Sequence, residues 1–144
     1  MSFRPPVHTG FGLTQVLPIV VAALSAQPGG PLLIENPEVH LHAAGQAAMG
    51  GLLAATAAAG IQVIVETHSD HVLNGIRRTV RNGTLAADDA VLHFFRPRPL
   101  SEQAGLPQVH SPVLDAEGNV DVWPDGFFDQ FDKDMNYLLS LIHI

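Results

Sequence analysis

Leu32-Leu33-Ile34-Glu35 and Ile61-Gln62-Val63-Ile64-Val65-Glu66 decide the fold. Each is a short, nearly continuous apolar run that stops at a carboxylate. That is the pattern of a strand buried on both faces. Between them, Ala43 to Ala59 is helical by its alanine content, and Gly60 closes it. Beyond the second run, His71 to Arg81 reads as a helix that Asn82-Gly83 stops. Strand, helix, strand, helix at this spacing predicts an α/β chain with a parallel sheet covered by helices on both faces. Ligand sites of such sheets lie outside the carboxyl ends of the strands. Here those ends are the polar stretches that start at Glu35 and at Glu66.

Toward the N-terminus, residues 1–12 are a Pro/Gly-rich lead-in. Thr14 can cap a helix running to about Ser25, with Pro18 in or near its first turn. Leu17, Val20, Val21 and Leu24 give that helix an apolar stripe, and Gln27 to Pro31 is a turn. Toward the C-terminus, Val91 to Phe95 reads as a third strand and Arg96 to Gln108 as a proline-rich loop. Val109–Leu114 and Asn119–Trp123 flank Asp115-Ala116-Glu117-Gly118, a hairpin signature. Asp125 to Leu139 reads as an amphipathic helix with Phe127, Phe128, Phe131, Met135 and Leu138 on or near one face.

Composition narrows the function classes. The 144 residues fit one domain or part of a larger one, and a 47% apolar, 15% charged chain is no disordered tail. Fourteen acidic and seven basic residues give a net charge of −7, which argues against nucleic-acid binding by bulk charge. A local basic patch stays open; Arg77, Arg78 and Arg81 read first as a solvated helix face. No cysteine means no disulfide, thiolate zinc site, iron–sulfur cluster or cysteine nucleophile. With no signal peptide at Met1 to Pro6, this fits a cytoplasmic protein. The single lysine, Lys133, is not part of a Gly-Lys-Ser/Thr core, so the chain carries no Walker A loop. Ala43 to Val65 is 23 residues without a charge, long enough to span a bilayer, but its glycines and Gln62 favour helix followed by strand.

Three stretches carry candidate chemistry. In Glu35-Asn36-Pro37-Glu38-Val39-His40-Leu41-His42, a carboxylate just past a buried strand needs water, a cation or a partner. A magnesium ion with its water shell is a natural partner; an ordinary strand-end loop is the plainer alternative. In Thr67-His68-Ser69-Asp70-His71, a histidine could touch a phosphate oxygen or bind a metal. Ser69 or Asp70 can at the same time cap the next helix. Gly10-Phe11-Gly12-Leu13-Thr14-Gln15 opens the first helix, where free backbone N–H groups and the dipole suit an anion.

In this order, the three stretches resemble the C-terminal half of an ABC-type ATPase head. The likeness is to the AAA/ABC-like ATPases grouped with the structural-maintenance-of-chromosomes, RecF and OLD proteins, in a prokaryotic subgroup with a short C-terminal domain of unknown function. Gly10 to Pro18 resembles the signature motif, Leu32 to His42 Walker B plus the D-loop, and Glu66 to Asp70 the switch-histidine loop. Trp123 to Asp129 and the helix after it resemble the C-terminal domain. The resemblance implies a partial P-loop NTPase fold, with the head in residues 1–95 and a small hairpin-and-helix domain in 96–139.

It also implies roles. Glu35 would hold magnesium through water, and His68 would contact the γ-phosphate. Gly10, Gly12, Thr14 and Gln15 would reach the γ-phosphate of a second subunit. Glu38 to His42, including His40, would line a dimer interface near both sites, and Asn36 and Ser69 would lie against the nucleotide. ATP and Mg2+ are the implied cofactors and a homodimer of full-length heads the implied assembly. Relatives act on DNA or in phage defence, which leaves nucleic acid open as a partner of the parent protein.

Two departures matter. Many ABC heads carry a catalytic Glu where this chain has Asn36, and an amide cannot be a general base. Glu38, or a group outside the chain, would then polarise the water. Ala43 stands where the histidine-rich run commonly continues with proline. With no phosphate loop present, the chain alone is expected to be inactive. Leu139 to Ile144 can be encoded by a sequence that resembles a transposon end used in library preparation, so residues 140–144 are expected to be a non-native tail.

Two other classes compete. Glu66-x-His68-x-Asp70-His71 resembles the metal motif of metallo-β-lactamase-like hydrolases, with His40 and His42 as further nitrogen ligands. Its first histidine is Glu66 here, and it leaves Gly10–Pro18 unexplained. A noncatalytic binding module on the same fold is the third class; it predicts no effect of changing Glu35 or His68.

Overall fold

A computed structural model describes residues 11–96 and 108–140. Helix α1 (Phe11–Ser25) leads to strand β1 (Pro31–Glu35), helix α2 (Ala43–Ala58), strand β2 (Gln62–Glu66) and helix α3 (Asp70–Arg81). β1 and β2 run parallel and in register, from Pro31 opposite Gln62 to Glu35 opposite Glu66. The α/β architecture expected from the apolar runs is therefore present: a short parallel pair flanked by helices, with a small antiparallel pair further along.

Strand alternation sorts the side chains. Leu32, Ile34, Val63 and Val65 turn toward Met49 and Leu53 of α2, and Val16 and Ile19 of α1 complete that core. Leu53 is fully buried, worth about 2 kcal/mol relative to exposure. The opposite face is a correction to the expected two-sided cover. Leu33 is 70% and Ile64 52% exposed. The reason is that α1 and α2 pack on the same side, so among the described residues nothing covers the other.

α1 starts at Phe11, three residues before the expected cap, which leaves Pro18 in the helix interior at the loss of one backbone bond. α2 and α3 lie unusually close, on glycines. A Cβ on Gly50 would run into the Val72 carbonyl, and one on Gly75 into the Ala47 carbonyl. Ser69 caps α3: its hydroxyl accepts from the Val72 amide at 3.1 Å. Asp70 in the first turn and Arg78 and Arg81 in the last complement the helix dipole.

The second half departs further from expectation. The strand expected over 91–95 shrinks to β3 (Phe94–Phe95), which pairs antiparallel with β4 (Val109–His110). The Asp115–Gly118 turn forms, with Leu114 bridged to Val120. The first arm's outer end thus pairs with β3 rather than with 119–123. Helix α4 (Gln130–Ser140) begins five residues later than expected. Gly126 and Phe128 have positive φ, and the Phe127 amide donates to the Pro124 carbonyl in a turn. Phe127 is therefore not on the helix. It is buried against Leu73, Leu114 and Val120, with Phe94 and Phe128 edge-on to its ring. Phe131, Met135 and Leu138 of α4 are exposed. The expected tail, 140–144, lies outside the described residues except for Ser140, the last of α4. Among the described residues no helix is long and apolar enough to cross a membrane; Ala43 to Val65 is α2, a turn and β2.

Candidate functional site

The register of the parallel pair brings Glu35 and Glu66 side by side at the carboxyl end of the sheet. The ladder continues one step, with the Asn36 amide donating to the Glu66 carbonyl at 2.9 Å. The two following loops leave from this edge. Glu35 is exposed, and among the described residues nothing bonds to its carboxylate.

Asn36 has a φ of +46° and His40 of +63°. Left-handed backbone disfavours most side chains by about 1–2 kcal/mol, and asparagine is among the residues that tolerate it. The geometry of the loop thus gives a reason for an asparagine at position 36. Pro37 beside it is fully buried.

Glu38 reaches across to the second loop. Its Oε2 accepts from Thr67 Oγ1 and its Oε1 from the His68 backbone amide, both at 2.8 Å. Thr67 Oγ1 accepts from the Ser69 amide at 3.1 Å. Ser69 Oγ, buried, donates to Gln46 Oε1 at 2.6 Å, and Gln46 Nε2 donates to the Leu41 carbonyl at 2.9 Å. Three side-chain bonds thus lace the β1–α2 segment to the β2–α3 loop, and two more brace the two sides from within. The His68 ring is left outside this lacing, with a side chain 82% exposed and Nε2 4.0 Å from Glu66. A histidine presented by a fixed backbone with a solvent-facing ring suits contact with an anionic ligand.

Sequence reasoning named Glu38, His68 and Ser69 but gave no role to Thr67 or Gln46. Gln46 and Thr56 are the only polar side chains in an α2 otherwise made of Ala, Gly, Leu and Met, and that was a usable signal. Ser69 serves as cap and strut, with its hydroxyl engaged on both sides. His42 is the N-cap of α2; its Nδ1 accepts from the Gly45 amide at 3.0 Å. His40 sits in the same loop, exposed.

The start of α1 abuts this loop. A Cβ on Gly12 would stand 3.0 Å from the His40 carbonyl oxygen, so a small residue suits that position. Thr14 and Gln15, in the first turns of α1, are exposed. Gly10 lies outside the described residues.

The donor set speaks to the metal readings. Among the described residues, no group of three or more His, Asp or Glu could hold a metal ion. His68 pairs with Glu66, whereas His71 lies 3.8 Å from Asp70 as a separate pair. The zinc constellation is therefore not assembled. A single free carboxylate does fit magnesium, which keeps most of its waters and takes other ligands from substrate phosphates.

Arg77 does not join the expected solvated face. Its Nε donates to the Gly118 carbonyl at 2.6 Å, its guanidinium stands 5.6 Å from the Trp123 ring centroid, and Nη1 bonds Asn74. It pins the C-terminal turn onto α3.

No curated protein and no solved structure matches the chain. A family described as "Protein of unknown function (DUF3696)" matches residues 85–138. A second, described as "AAA domain, putative AbiEii toxin, Type IV TA system", matches residues 3–74, half of the chain, including the β1–α2 and β2–α3 loops. The chain belongs to this AAA-type ATPase family.

Proposed function

We propose that the chain is the C-terminal part of an ABC-type ATPase head, similar to those of the structural-maintenance-of-chromosomes, RecF and OLD proteins. The observation that carries the reading is the meeting, at one sheet edge, of a free strand-end carboxylate, Glu35, and the buttressed His68 loop. The first turn of α1 abuts the same edge.

In this reading Glu35 holds magnesium through its water shell, and the ion supplies charge stabilisation at the phosphates. His68 would contact the γ-phosphate. Gly12, Thr14 and Gln15, with Gly10, offer N–H and hydroxyl donors to the γ-phosphate bound by a second head, across an interface lined by Glu38 to His42. Hydrolysis rests on positioning and electrostatic stabilisation. The phosphate loop comes from a segment outside these residues. In this reading the head takes residues 1–95 and the C-terminal unit residues 96–139.

The test supplies a Gly-Lys-Ser/Thr-bearing segment to the chain and follows magnesium-dependent phosphate release. Turnover should need the segment, and His68→Ala should lower kcat by about 10²-fold. Turnover by the 144-residue chain alone, or full activity in Glu35→Ala, would overturn the reading. Tightly held stoichiometric zinc would instead favour the metallohydrolase.

A further inference from the structure

Glu38 is the obvious replacement for the base that Asn36 cannot be, yet its geometry describes a different task. Both carboxylate oxygens are already acceptors, one from the Thr67 hydroxyl and one from the His68 amide. The residues bonded lie 29 and 30 positions away, in the loop that follows the neighbouring strand. A base must aim a lone pair at the attacking water. A carboxylate that instead accepts two loop donors holds those donors in place.

We propose that Glu38 is a positioning residue: it ties the β1–α2 loop to the β2–α3 loop and so sets where the His68 ring stands, with Gln46–Ser69 as the second strut. This rests on the ATPase reading of His68. Its physical logic is that, among the described residues, the His68 ring has no hydrogen bond or ion pair beyond Glu66 at 4.0 Å, so the position of its backbone sets where the ring can reach. That backbone is gripped at the His68 amide by Glu38 and at Ser69 by its cap and by Gln46. The water-activating group then lies elsewhere in the assembled site.

Glutamine separates the two roles. In Glu38→Gln the amide oxygen can still accept from the His68 amide. The amide nitrogen can donate to Thr67 Oγ1, a hydroxyl able to reverse its role. The geometry survives while basicity is lost. Glu38→Ala loses both.

Two measurements are made. The first is amide hydrogen exchange in the 144-residue chain. Glu38→Ala should speed exchange at His68 by about 10- to 100-fold, as expected for loss of a charge-assisted bond. Leu53 and Val72 should keep wild-type protection, and Glu38→Gln should stay within a few-fold of wild type. The second is turnover with the phosphate-loop segment supplied. Glu38→Gln should keep at least about one third of kcat, whereas Glu38→Ala should lose about 10²-fold in kcat with KM little changed, as when a positioned group is let loose.

Equal inactivity of the Gln and Ala variants, with the His68 amide still protected in Gln, would overturn the proposal and make Glu38 the base. Unchanged His68 exchange in Glu38→Ala would overturn it too. Should Glu38→Ala unfold the chain, turnover by Glu38→Gln decides alone. Absence of turnover in every variant and in the wild type would remove the ATPase reading, while the exchange result would still judge the tie between the loops.

Discussion

Two adjacent glycines of α2 should respond to the same substitution with opposite signs. Carbon–carbon contacts settle at about 3.5–4.0 Å. A Cβ on Gly50 would lie 2.9 Å from the Val72 carbonyl carbon and 3.2 Å from Gly75 Cα, besides striking the Val72 oxygen. All of these are backbone atoms, so no rotamer change relieves the clash, and α2 and α3 must part by roughly 1 Å. Overpacking of this kind costs about 1–3 kcal/mol, and rigid backbone on both sides puts it at the top of that range. Helix propensity returns about 1 kcal/mol for Gly→Ala. The net is a loss of about 2 kcal/mol for Gly50→Ala. At Gly51 the nearest atom to a new Cβ is Thr79 Oγ1 at 3.8 Å, an ordinary contact. Gly51→Ala should therefore gain up to about 1 kcal/mol. With roughly 4 °C per kcal/mol for a chain of this size, Tm should fall by about 8 °C in one and rise by up to about 4 °C in the other. Thermal melts followed by circular dichroism, with urea midpoints as a second measure, read both. A Gly50→Ala variant that melts at or above wild type would refute the close approach of α2 and α3.

Three further expectations follow from single contacts. Arg77→Ala removes a charged bond to the Gly118 carbonyl and the stacking on Trp123, about 2 kcal/mol together. Trp123 is the sole tryptophan, so its emission should shift to the red well before α2 and α3 unfold; a single coincident transition would count against this. Asn36→Glu puts an ordinary side chain at positive φ, so it should cost about 1 kcal/mol and not raise turnover; a more active variant would reinstate position 36 as the base. The Asp129 carboxyl is held below its ordinary pKa by the Gly126 amide and then by Lys133, and Lys133 is raised by Asp125 and then Asp129. The first contribution is present above the ordinary aspartate pKa of about 4 and lost as pH falls through the depressed value. The second is present below the ordinary lysine pKa of about 10.4 and lost as pH rises through the raised one. The start of α4 should fray at both extremes, and Lys133→Met should abolish the alkaline limb seen by NMR; an unchanged limb would point to another group.

What was legible in the sequence followed from strong local signals. The two apolar runs ending in Glu35 and Glu66 located the strands and the edge where the loops gather. Ser69 was readable as a cap because a hydroxyl precedes a helical pattern, and Gly60 as a stop because it accepts positive φ. What was not legible depends on information no window contains. An apolar run says that a face wants cover, not whether a helix of this chain provides it, so the exposure of Leu33 and Ile64 could not be read from their types. Phe127 and Phe128 fit a helical stripe by spacing, yet Phe128 sits at positive φ, a conformation its side chain argues against. The tertiary core around Leu73 outweighed that local preference.

The same division runs through the site. Spacing identified residues that end strands, because chain direction alone brings them to one edge. It could not pair them across the edge. Glu38 and His68 are 30 residues apart, and their bond exists only because the parallel register sets Glu35 opposite Glu66 and so starts both loops at the same height. A slip of one residue would turn Glu35 to the other face and carry Glu38 away from Thr67. The packing that fixes this register is Ile34 and Val65 against Met49 and Leu53. The alanine- and glycine-rich helix that carries them also carries Gln46 to Ser69, and its glycines let α3 approach closely enough for that strut to close. Small residues in α2 are thus part of what holds the histidine loop.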